Sequence, residues 1–237
     1  MPPANGRDLC CDPRPPHDLQ SSHTDDQRWP YLSANLEQPM TSHGPITRDL
    51  LQTFEDVRSR TFARLDGLTD AEYLWEPVAF CMTLRPAADG MFRADPRPAG
   101  EVRPAPFTTI GWRIWHIGAD CLRGYGRFFG DDPQSDDRHL WPGTASEGVQ
   151  ELANDWSRFR NHVESLGDDR LLQPMGPIAG DYGHESYLLL ALHALDEAAH
   201  HGAELGVLRD LYLHGIDMKQ RANHDEVSPA PRPPSGA

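Results

Sequence analysis

Cysteine is scarce in this sequence, and its spacing forms no recognisable motif. The 237 residues include four cysteines, Cys10, Cys11, Cys81 and Cys121, and no Cys-x-x-Cys pair. So few thiols exclude the disulfide framework that is typical of small secreted domains. We therefore expect a reducing, cytoplasmic location.

Long apolar runs are missing as well. No stretch approaches the roughly 18 consecutive apolar residues of a membrane-spanning helix, and no cationic start followed by an apolar run marks a secretory signal. Basic residues are in the minority, since 22 Lys and Arg stand against 36 Asp and Glu, for a net charge of −14. Nucleic acids and anionic membranes carry the same sign of charge, so we expect neither as a partner. The prediction is a soluble protein with a small-molecule substrate, and a homodimer is the oligomer that we consider.

Several catalytic motifs are also absent. The sequence has no glycine-rich phosphate loop and no Gly-x-Ser-x-Gly nucleophile elbow. The zinc-protease pattern His-Glu-x-x-His fails after His184, because Leu188 stands where the second histidine is required. Glu197-x-x-His200 resembles one element of a di-iron site, but the sequence has no second Glu-x-x-His pair. Chemistry that depends on any of these motifs is therefore not expected.

The sequence does contain strong helical periodicity in its middle part. Residues 1–44 and 217–237 are polar and proline-rich without a period, so we predict a disordered leader and a disordered tail around one domain at 45–216. Gly202 and Gly206 predict close approach of another helix, since glycine is costly in a helix interior. Apolar residues at three- and four-residue spacing predict four long helices, at 46–65, at 107–129, between Thr144 and Gly167, and from Tyr187 to Gly215. The predicted fold is an all-α four-helix bundle.

Local signals predict where helices begin. Thr69-x-x-Glu72 and Thr144-x-x-Glu147 have the capping-box pattern, and Asp181 is predicted to cap the fourth helix. The connection at residues 78–106 contains five prolines and has no sustained period. Because so long a connection in a compact domain is usually functional, we interpret it as a segment that shapes a pocket or closes as a lid.

The fourth helix carries acid and imidazole on a face that should be apolar. His193, Glu197 and His201 follow one another at four-residue spacing, which stacks their side chains on successive turns. Burying such groups is costly unless they are paired or bind a metal, so the pattern predicts a divalent metal site. The alternative is a structural cluster, in which His193 and His200 are rim residues paired with Glu197 and Glu204. Nitrogen and oxygen donors without thiolate suit Zn, Ni, Fe or Mn and leave positions open for a substrate.

His116 lies off the apolar stripe of the second helix. It shares a flank with Trp112 and Asp120, so this helix is expected to bury more than one face. Asp120 lies four residues on and could accept a hydrogen bond that orients the imidazole. The alternative is a surface histidine between two tryptophans.

Three segments of the chain together resemble the DinB-like four-helix bundle superfamily. They are LTDAEYLWEPV at 68–78, TTIGWRIWHIGAD at 108–120 and HALDEAAHHGAELGVLRDLY at 193–212. The resemblance covers about residues 46–215 and implies the same helical bundle. Many members of this superfamily bind a divalent metal through one histidine of the second helix and two residues, four apart, of the fourth.

Carried onto this chain, the resemblance implies His116, Glu197 and His201 as the metal ligands. His193 and His200 are then neighbours of the site. A three-histidine set, in which His116 and His201 are joined by His193 or His200, is the alternative.

Glutamate at the middle ligand position is similar to mycothiol-dependent maleylpyruvate isomerase and its thiol-transferase relatives, in which His, Glu and His hold zinc. The resemblance thus implies a metal-dependent transferase or isomerase that activates a low-molecular-weight thiol toward an electrophile. A non-catalytic metal-binding or stress-response bundle is the second hypothesis, and a metal-dependent hydrolase is the third.

Overall fold

The computed structural model describes residues 43–100, 102–130 and 138–215, all within one compact unit, Thr41–Ala237. Residues 1–42 of the predicted leader and the predicted tail lie outside the described residues. His43, at the start of the described part, already contacts the domain, because its Nε2 lies 3.1 Å from Oε1 of Glu164. The predicted boundaries at 45 and 216 stay predictions.

Four long helical segments form the body of the domain. The elements in chain order are α1 (Pro45–Leu65), α2 (Asp70–Tyr73), β1 (Leu84–Pro86), β2 (Phe92–Ala94), α3 (Ile110–Trp115), a π-helical segment (His116–Arg123), α4 (Gly124–Gly126), a first 3₁₀ turn (Arg127–Phe129), α5 (Ala145–Leu171), a second 3₁₀ turn (Pro177–Tyr182) and α6 (Tyr187–Leu213). The elements from α3 to the first 3₁₀ turn run on without a break and correspond to the predicted second helix. Both α1 and the π-helical segment pack against α5 and α6. The predicted all-α bundle is confirmed, and none of the described helices has the length and apolar character needed to cross a membrane.

One part of the core lies where α1 faces α5. Along α1, the residues at the three- and four-residue spacing that predicts this helix are all buried, namely Leu50, Phe54, Val57, Thr61 and Leu65. The Phe54 ring lies 6.0 Å from the Trp156 ring and 5.7 Å from the Phe159 ring, centroid to centroid. Both partners lie on the face of α5 where apolar residues recur at three- and four-residue spacing, from Leu152 to Val163. Edge and tilted contacts of this kind stabilise a core beyond the area that they bury.

The two predicted threonine caps are present. Oγ1 of Thr69 accepts a hydrogen bond from the backbone N of Glu72 at 3.2 Å, and the Glu72 carboxylate accepts one from the backbone N of Thr69 at 3.0 Å. Thr144 caps α5 in the same way by accepting from the backbone N of Glu147. These helix starts follow from residues three positions apart, which explains why they could be predicted.

The predicted cap of α6 is wrong. Asp181 lies in the second 3₁₀ turn, and Ser186 is the residue that caps α6, since its Oγ accepts from the backbone N of Leu189 at 3.1 Å. Between them the chain turns back, and the backbone N of Met175 donates to the carbonyl of Glu185 at 2.8 Å. Because of this turn, α6 begins too far along the chain for the Asp181 side chain to cap it.

The predicted helix end at Gly167 is confirmed. Gly167 adopts φ 65° and ψ 174°, which interrupts the helical backbone of α5, and one further helical turn follows after this kink to Leu171. This kink leaves Asp168 at the start of α1, where its carboxylate accepts from the backbone N of Thr47 at 2.8 Å and of Ile46 at 3.1 Å. Gly44, the N-cap residue of α1, has no side chain to do this. A residue of α5 therefore caps α1.

The predicted close approach at Gly202 and Gly206 is confirmed, and the approaching helix is α1. A Cβ atom on Gly202 would lie 2.6 Å from Oγ1 of Thr61, and one on Gly206 would lie 3.2 Å from Nε of Arg64. The missing side chains allow α1 and α6 to pack at short distance.

The connection at 78–106 contains a β-hairpin that the sequence did not reveal. β1 and β2 are antiparallel, with Leu84 opposite Ala94. The Asp95 carboxylate accepts from the backbone N of Thr83 at 3.0 Å, and the Asp95 carbonyl accepts from Nε1 of Trp112 at 2.8 Å. These bonds fix the hairpin against α3. Strands of three residues are too short to show an alternating pattern.

Candidate metal centre

Three side chains from two helices converge beside the packed core. His116 is the first residue of the π-helical segment, and Glu197 and His201 lie one turn apart on α6. Oε2 of Glu197 lies 3.3 Å from Nε2 of His116 and 3.2 Å from Nε2 of His201. One nitrogen or oxygen atom from each of the three residues lies within 4.8 Å of the others. The structure thus brings together the three residues that the resemblance implies as ligands.

The π-helical segment arranges the surroundings of His116. Its i to i+5 hydrogen bonds widen the turn, so that residues four and five positions on both lie near the first one. Oδ2 of Asp120 lies 3.1 Å from Nδ1 of His116, as expected from the sequence. Sγ of Cys121 lies 3.8 Å from Nε2 of the same ring and 3.7 Å from Oε2 of Glu197.

His201 has an equivalent carboxylate partner on its own helix. Its Nδ1 lies 2.7 Å from Oε2 of Glu204, and that oxygen lies 2.8 Å from Nε of Arg113 on α3. A carboxylate at Nδ1 favours the tautomer with the proton on that nitrogen. Both imidazoles turn Nε2 toward Glu197 and Nδ1 toward a carboxylate, which is the arrangement found at histidine metal ligands.

Two of the three donor separations fit a metal ion. Two donor atoms that bind one zinc ion at 2.0–2.1 Å with a tetrahedral angle lie about 3.3–3.4 Å apart. The two separations between Glu197 and the imidazoles are 3.3 and 3.2 Å. Two imidazoles and one carboxylate are also a donor set that zinc and similar divalent ions accept. The residues present therefore fit such an ion.

Burial decreases from His116 to Glu197. The exposed fraction of the side chain is 4% for His116, 14% for His201 and 26% for Glu197. The site is therefore buried on the side of the π-helical segment and reachable from solvent on the side of α6. A metal ion bound at this site is therefore accessible to a small molecule from the side of α6.

The charges of the site act strongly on its carboxylates. Burial by itself would raise the pKa of Glu197, but the charges of His201 and His116 outweigh this effect and lower it. Burial also acts to raise the pKa of Asp120, yet hydrogen bonds from His116 and Arg97 lower it to about 2. Both groups are carboxylates near neutral pH, as metal coordination and imidazole orientation require.

The pKa of Cys121 shifts in the opposite direction, upward. Burial, together with the negative charges of Glu197 and Asp120, raises the pKa of its thiol to about 12. In the sequence, Cys121 lies four residues after Ile117 and four before Tyr125, so it continues the apolar spacing of its helix. The thiol is protonated near neutral pH, and it donates toward Glu197.

The other two histidines of α6 lie outside this group. His193 is exposed, and its ring centroid lies 5.6 Å from that of Tyr125. His200 is exposed as well, with its Nε2 3.4 Å from Oε1 of Glu204, the pairing expected of a rim residue. His200, His201 and Glu204 form a second, more exposed group that could hold an ion. It competes with the first group for His201.

Two arginines near the site could not be recognised from the sequence. Arg113 lies one turn from the start of α3 and contacts Glu204, whereas Arg97 follows the hairpin and contacts Asp120 and His116. Arg113 lies three residues before His116 on the same continuous helix, but its partner Glu204 belongs to α6, and Arg97 comes from the 78–106 connection. Spacing along the chain therefore predicts neither contact. For Arg97, the available sequence signal was the length of the 78–106 connection, which indicated that this segment has a functional role.

Comparisons with known proteins indicate the family to which the chain is similar. A family model described as the DinB superfamily matches residues 53–205. A similar solved structure is that of a conserved protein from Enterococcus faecalis, with 13% identity over 71% of this chain and 97% of that chain and a TM-score of 0.46. The search of curated protein sequences gave no match.

Proposed function

This chain belongs to the DinB superfamily, and on that premise we propose that it is a cytoplasmic, metal-dependent transferase or isomerase that activates a low-molecular-weight thiol of the mycothiol type. His116, Glu197 and His201 are the proposed ligands. Zn²⁺ is the proposed ion, with Ni, Fe and Mn as the alternatives that elemental analysis distinguishes. The observation that carries the proposal is the pair of donor separations of 3.2 and 3.3 Å, which match one tetrahedral ion.

Each nearby residue has a task in this proposal. Asp120 and Glu204 hold the two imidazoles with Nε2 toward the ion, and Arg113 holds Glu204 in place. The bound ion supplies Lewis acidity, which lowers the pKa of a thiol and keeps it as thiolate at neutral pH. Because the donor set has only one carboxylate, a divalent ion keeps one positive charge there, which favours an anionic fourth ligand. The net charge of −14 supports a small molecule and not a nucleic acid as substrate.

The test combines metal content with thiol reactivity. Elemental analysis of the purified chain should give one ion per molecule, and the ion-loaded protein should accelerate conjugation of a low-molecular-weight thiol to a soft electrophile. Chelator, and separately Glu197→Gln, should abolish the acceleration, whereas His193→Ala on the same helix should not. One bound ion without any acceleration would favour the non-catalytic metal-binding bundle instead.

A further inference from the structure

The outward face of α6 carries apolar side chains that the described part of the chain leaves about half exposed. Leu189 is 48% exposed, Leu192 is 46% exposed and Val207 is 59% exposed. They belong to one line of exposed residues at three- and four-residue spacing, the outer stripe, which consists of Leu189, Leu192, Asp196, Ala199, Ala203 and Val207. The inner side of α6 is apolar too and is buried in the core. A helix at the surface of a domain typically turns a polar face outward, so the outer stripe is suited to a partner.

A groove runs beside the C-terminal half of the outer stripe, between α1 and α6. It holds about 360 Å³, and the residues of α6 that line it include four small ones, namely Ala199, Gly202, Ala203 and Gly206. The exposed leucines lie in the other half of the stripe. Leu192 and Ala203 are 11 positions apart, which is about 16 Å along a helix. One face of α6 thus carries large apolar side chains at one end and a hollow at the other.

This pairing of a protrusion with a hollow matches a second copy of the same chain. When two copies of α6 pack antiparallel about a two-fold axis near Ala199, Leu192 of each copy faces the groove of the other. A two-fold interface requires such a self-complementary surface, because the same patch serves on both sides. An interface with a different protein has no such requirement.

The charges on this face are self-complementary as well. Arg60 of α1 lines the groove, Asp196 lies in the outer stripe, and both are exposed. Neither forms an ion pair with another residue in the described part of the chain, whereas Arg64, the other arginine of the groove, is paired with Asp210. In the antiparallel arrangement, Asp196 of one copy faces the groove beside Arg60 of the other, and each dimer contains this pair twice. Such a match counteracts the repulsion between two chains of net charge −14.

We propose that the outer stripe and the groove form the interface of a homodimer, in which α6 packs antiparallel against α6 of a second copy. This inference goes beyond the proposed function and does not depend on it. Glu197 and His201 lie on a different flank of α6, toward the π-helical segment, so the metal centre stays outside the interface. One helix face and one groove make a small interface, so we expect a dissociation constant of about 1–100 μM. The chain is then monomeric at the submicromolar concentrations used for unfolding experiments.

Sedimentation equilibrium of the full chain, from about 1 to 500 μM, measures the association. Wild type should form a dimer and no larger species. Leu192→Asp should raise the dissociation constant at least about tenfold, because each dimer loses two apolar contacts and buries two carboxylates instead. Leu172→Asp, which changes a leucine that is 54% exposed at the end of α5, is the matched control and should stay within about twofold of wild type.

Charge reversal tests how the two copies are arranged. Arg60→Asp and Asp196→Arg should each weaken the dimer at least about tenfold, because like charges then face each other twice. An equimolar mixture of the two variants should dimerise as wild type does, since each heterodimer then contains two pairs of opposite charge. Recovery in the mixture requires that both variants are folded, so it separates a lost contact from a lost fold.

Each result decides the inference. Wild type that stays monomeric over the whole range overturns it, and so does a dimer that Leu192→Asp leaves unchanged. A mixture of the charge variants that does not regain association contradicts the antiparallel pairing and therefore the proposed interface. Metal content and thiol reactivity are measured separately, so a failure of the dimer leaves the proposed function standing, and a failure of the proposed function leaves the dimer standing.

Discussion

Nε2 of His116 lies 3.3 Å from Oε2 of Glu197, although the two residues belong to different helices and are 81 positions apart in the sequence. The π-helical segment supplies the imidazole, and α6 supplies the carboxylate. Contact between these two elements creates the candidate site, since Glu197 and His201 alone would offer only two donors. The predictions below test this contact and the packing that maintains it.

Alanine at His116, Glu197 or His201 should lower divalent-metal affinity more than about 100-fold. Each of these substitutions leaves only two metal donors. The loss of a residue that only orients a metal ligand typically lowers metal affinity by about 10–100-fold. His193→Ala and His200→Ala on the same helix are the controls, with about threefold loss or less expected for His193. Affinity should also fall as the pH is lowered, because coordination needs neutral imidazole. Titration calorimetry of the five variants measures this, and intact binding in Glu197→Ala would favour the three-histidine set.

Phe159→Ala should destabilise the domain by about 3–5 kcal/mol, because a fully buried aromatic ring is removed from the core. The side chain is 1% exposed and lies against Phe54. Val207→Ala on α6, which is 59% exposed, is the control and should change stability by about 0.5 kcal/mol or less. Urea unfolding measures both. Metal per folded molecule should stay the same in each variant, and its loss in folded Phe159→Ala would contradict a purely structural role.

Gly202→Ala should destabilise the domain by about 1–3 kcal/mol, although alanine is the better helix former. The new Cβ would lie 2.6 Å from Oγ1 of Thr61, too close for any real contact. Thr61→Ala removes that atom, so the double variant should recover most of the loss relative to Thr61→Ala alone. A thermal-unfolding double-mutant cycle checks this, and purely additive effects would show that the α1 contact does not limit this position.

Asp168→Asn should destabilise the domain in a pH-dependent way. Hydrogen bonds from the Thr47 hydroxyl, and then from backbone N–H groups, lower the pKa of Asp168 in the folded state. Its carboxylate therefore contributes stability above the ordinary aspartate pKa of about 4, and the contribution is lost as the pH falls through the lowered value. Thermal unfolding of wild type and variant from pH 7 to pH 2 should show a difference that shrinks at the acidic end. Asp169→Asn, at the exposed neighbouring position, is the control, and an equal pH effect there would contradict the assignment.

Features that depend on neighbouring residues could be predicted well. The buried stripe of α1 and the Thr69 capping box involve residues within four positions of one another, and helical geometry alone relates them. The same reasoning placed Asp120 next to His116. The π-helical turn kept that i+4 relation, and it also brought in Cys121 at i+5, which α-helical spacing places on a different face.

The predicted start of α6 failed because contacts outside the helix decide it. At Gly167 the local signal held, since its backbone is not helical, and the turn beyond this kink is anchored because Asp168 bonds to α1. Ser186, not Asp181, begins α6, because the intervening chain forms a turn with its own backbone bonds. Asp181 has the residue type of a helix cap, but the turn leaves Ser186 as the residue that caps α6.

By itself, the sequence determined that four amphipathic helices form and that Glu197 and His201 share one face of the last, because α-helical spacing is a local property. It did not determine that His116 meets them, and only the resemblance to a family suggested this. Tertiary structure decided the meeting of His116 with Glu197, the pairing of Arg113 with Glu204 and the arrival of Arg97 at the edge of the site. The physical reason is that each of these contacts joins separate elements, whose relative position is set by helix packing and by a hairpin anchored to α3, and not by spacing along the chain.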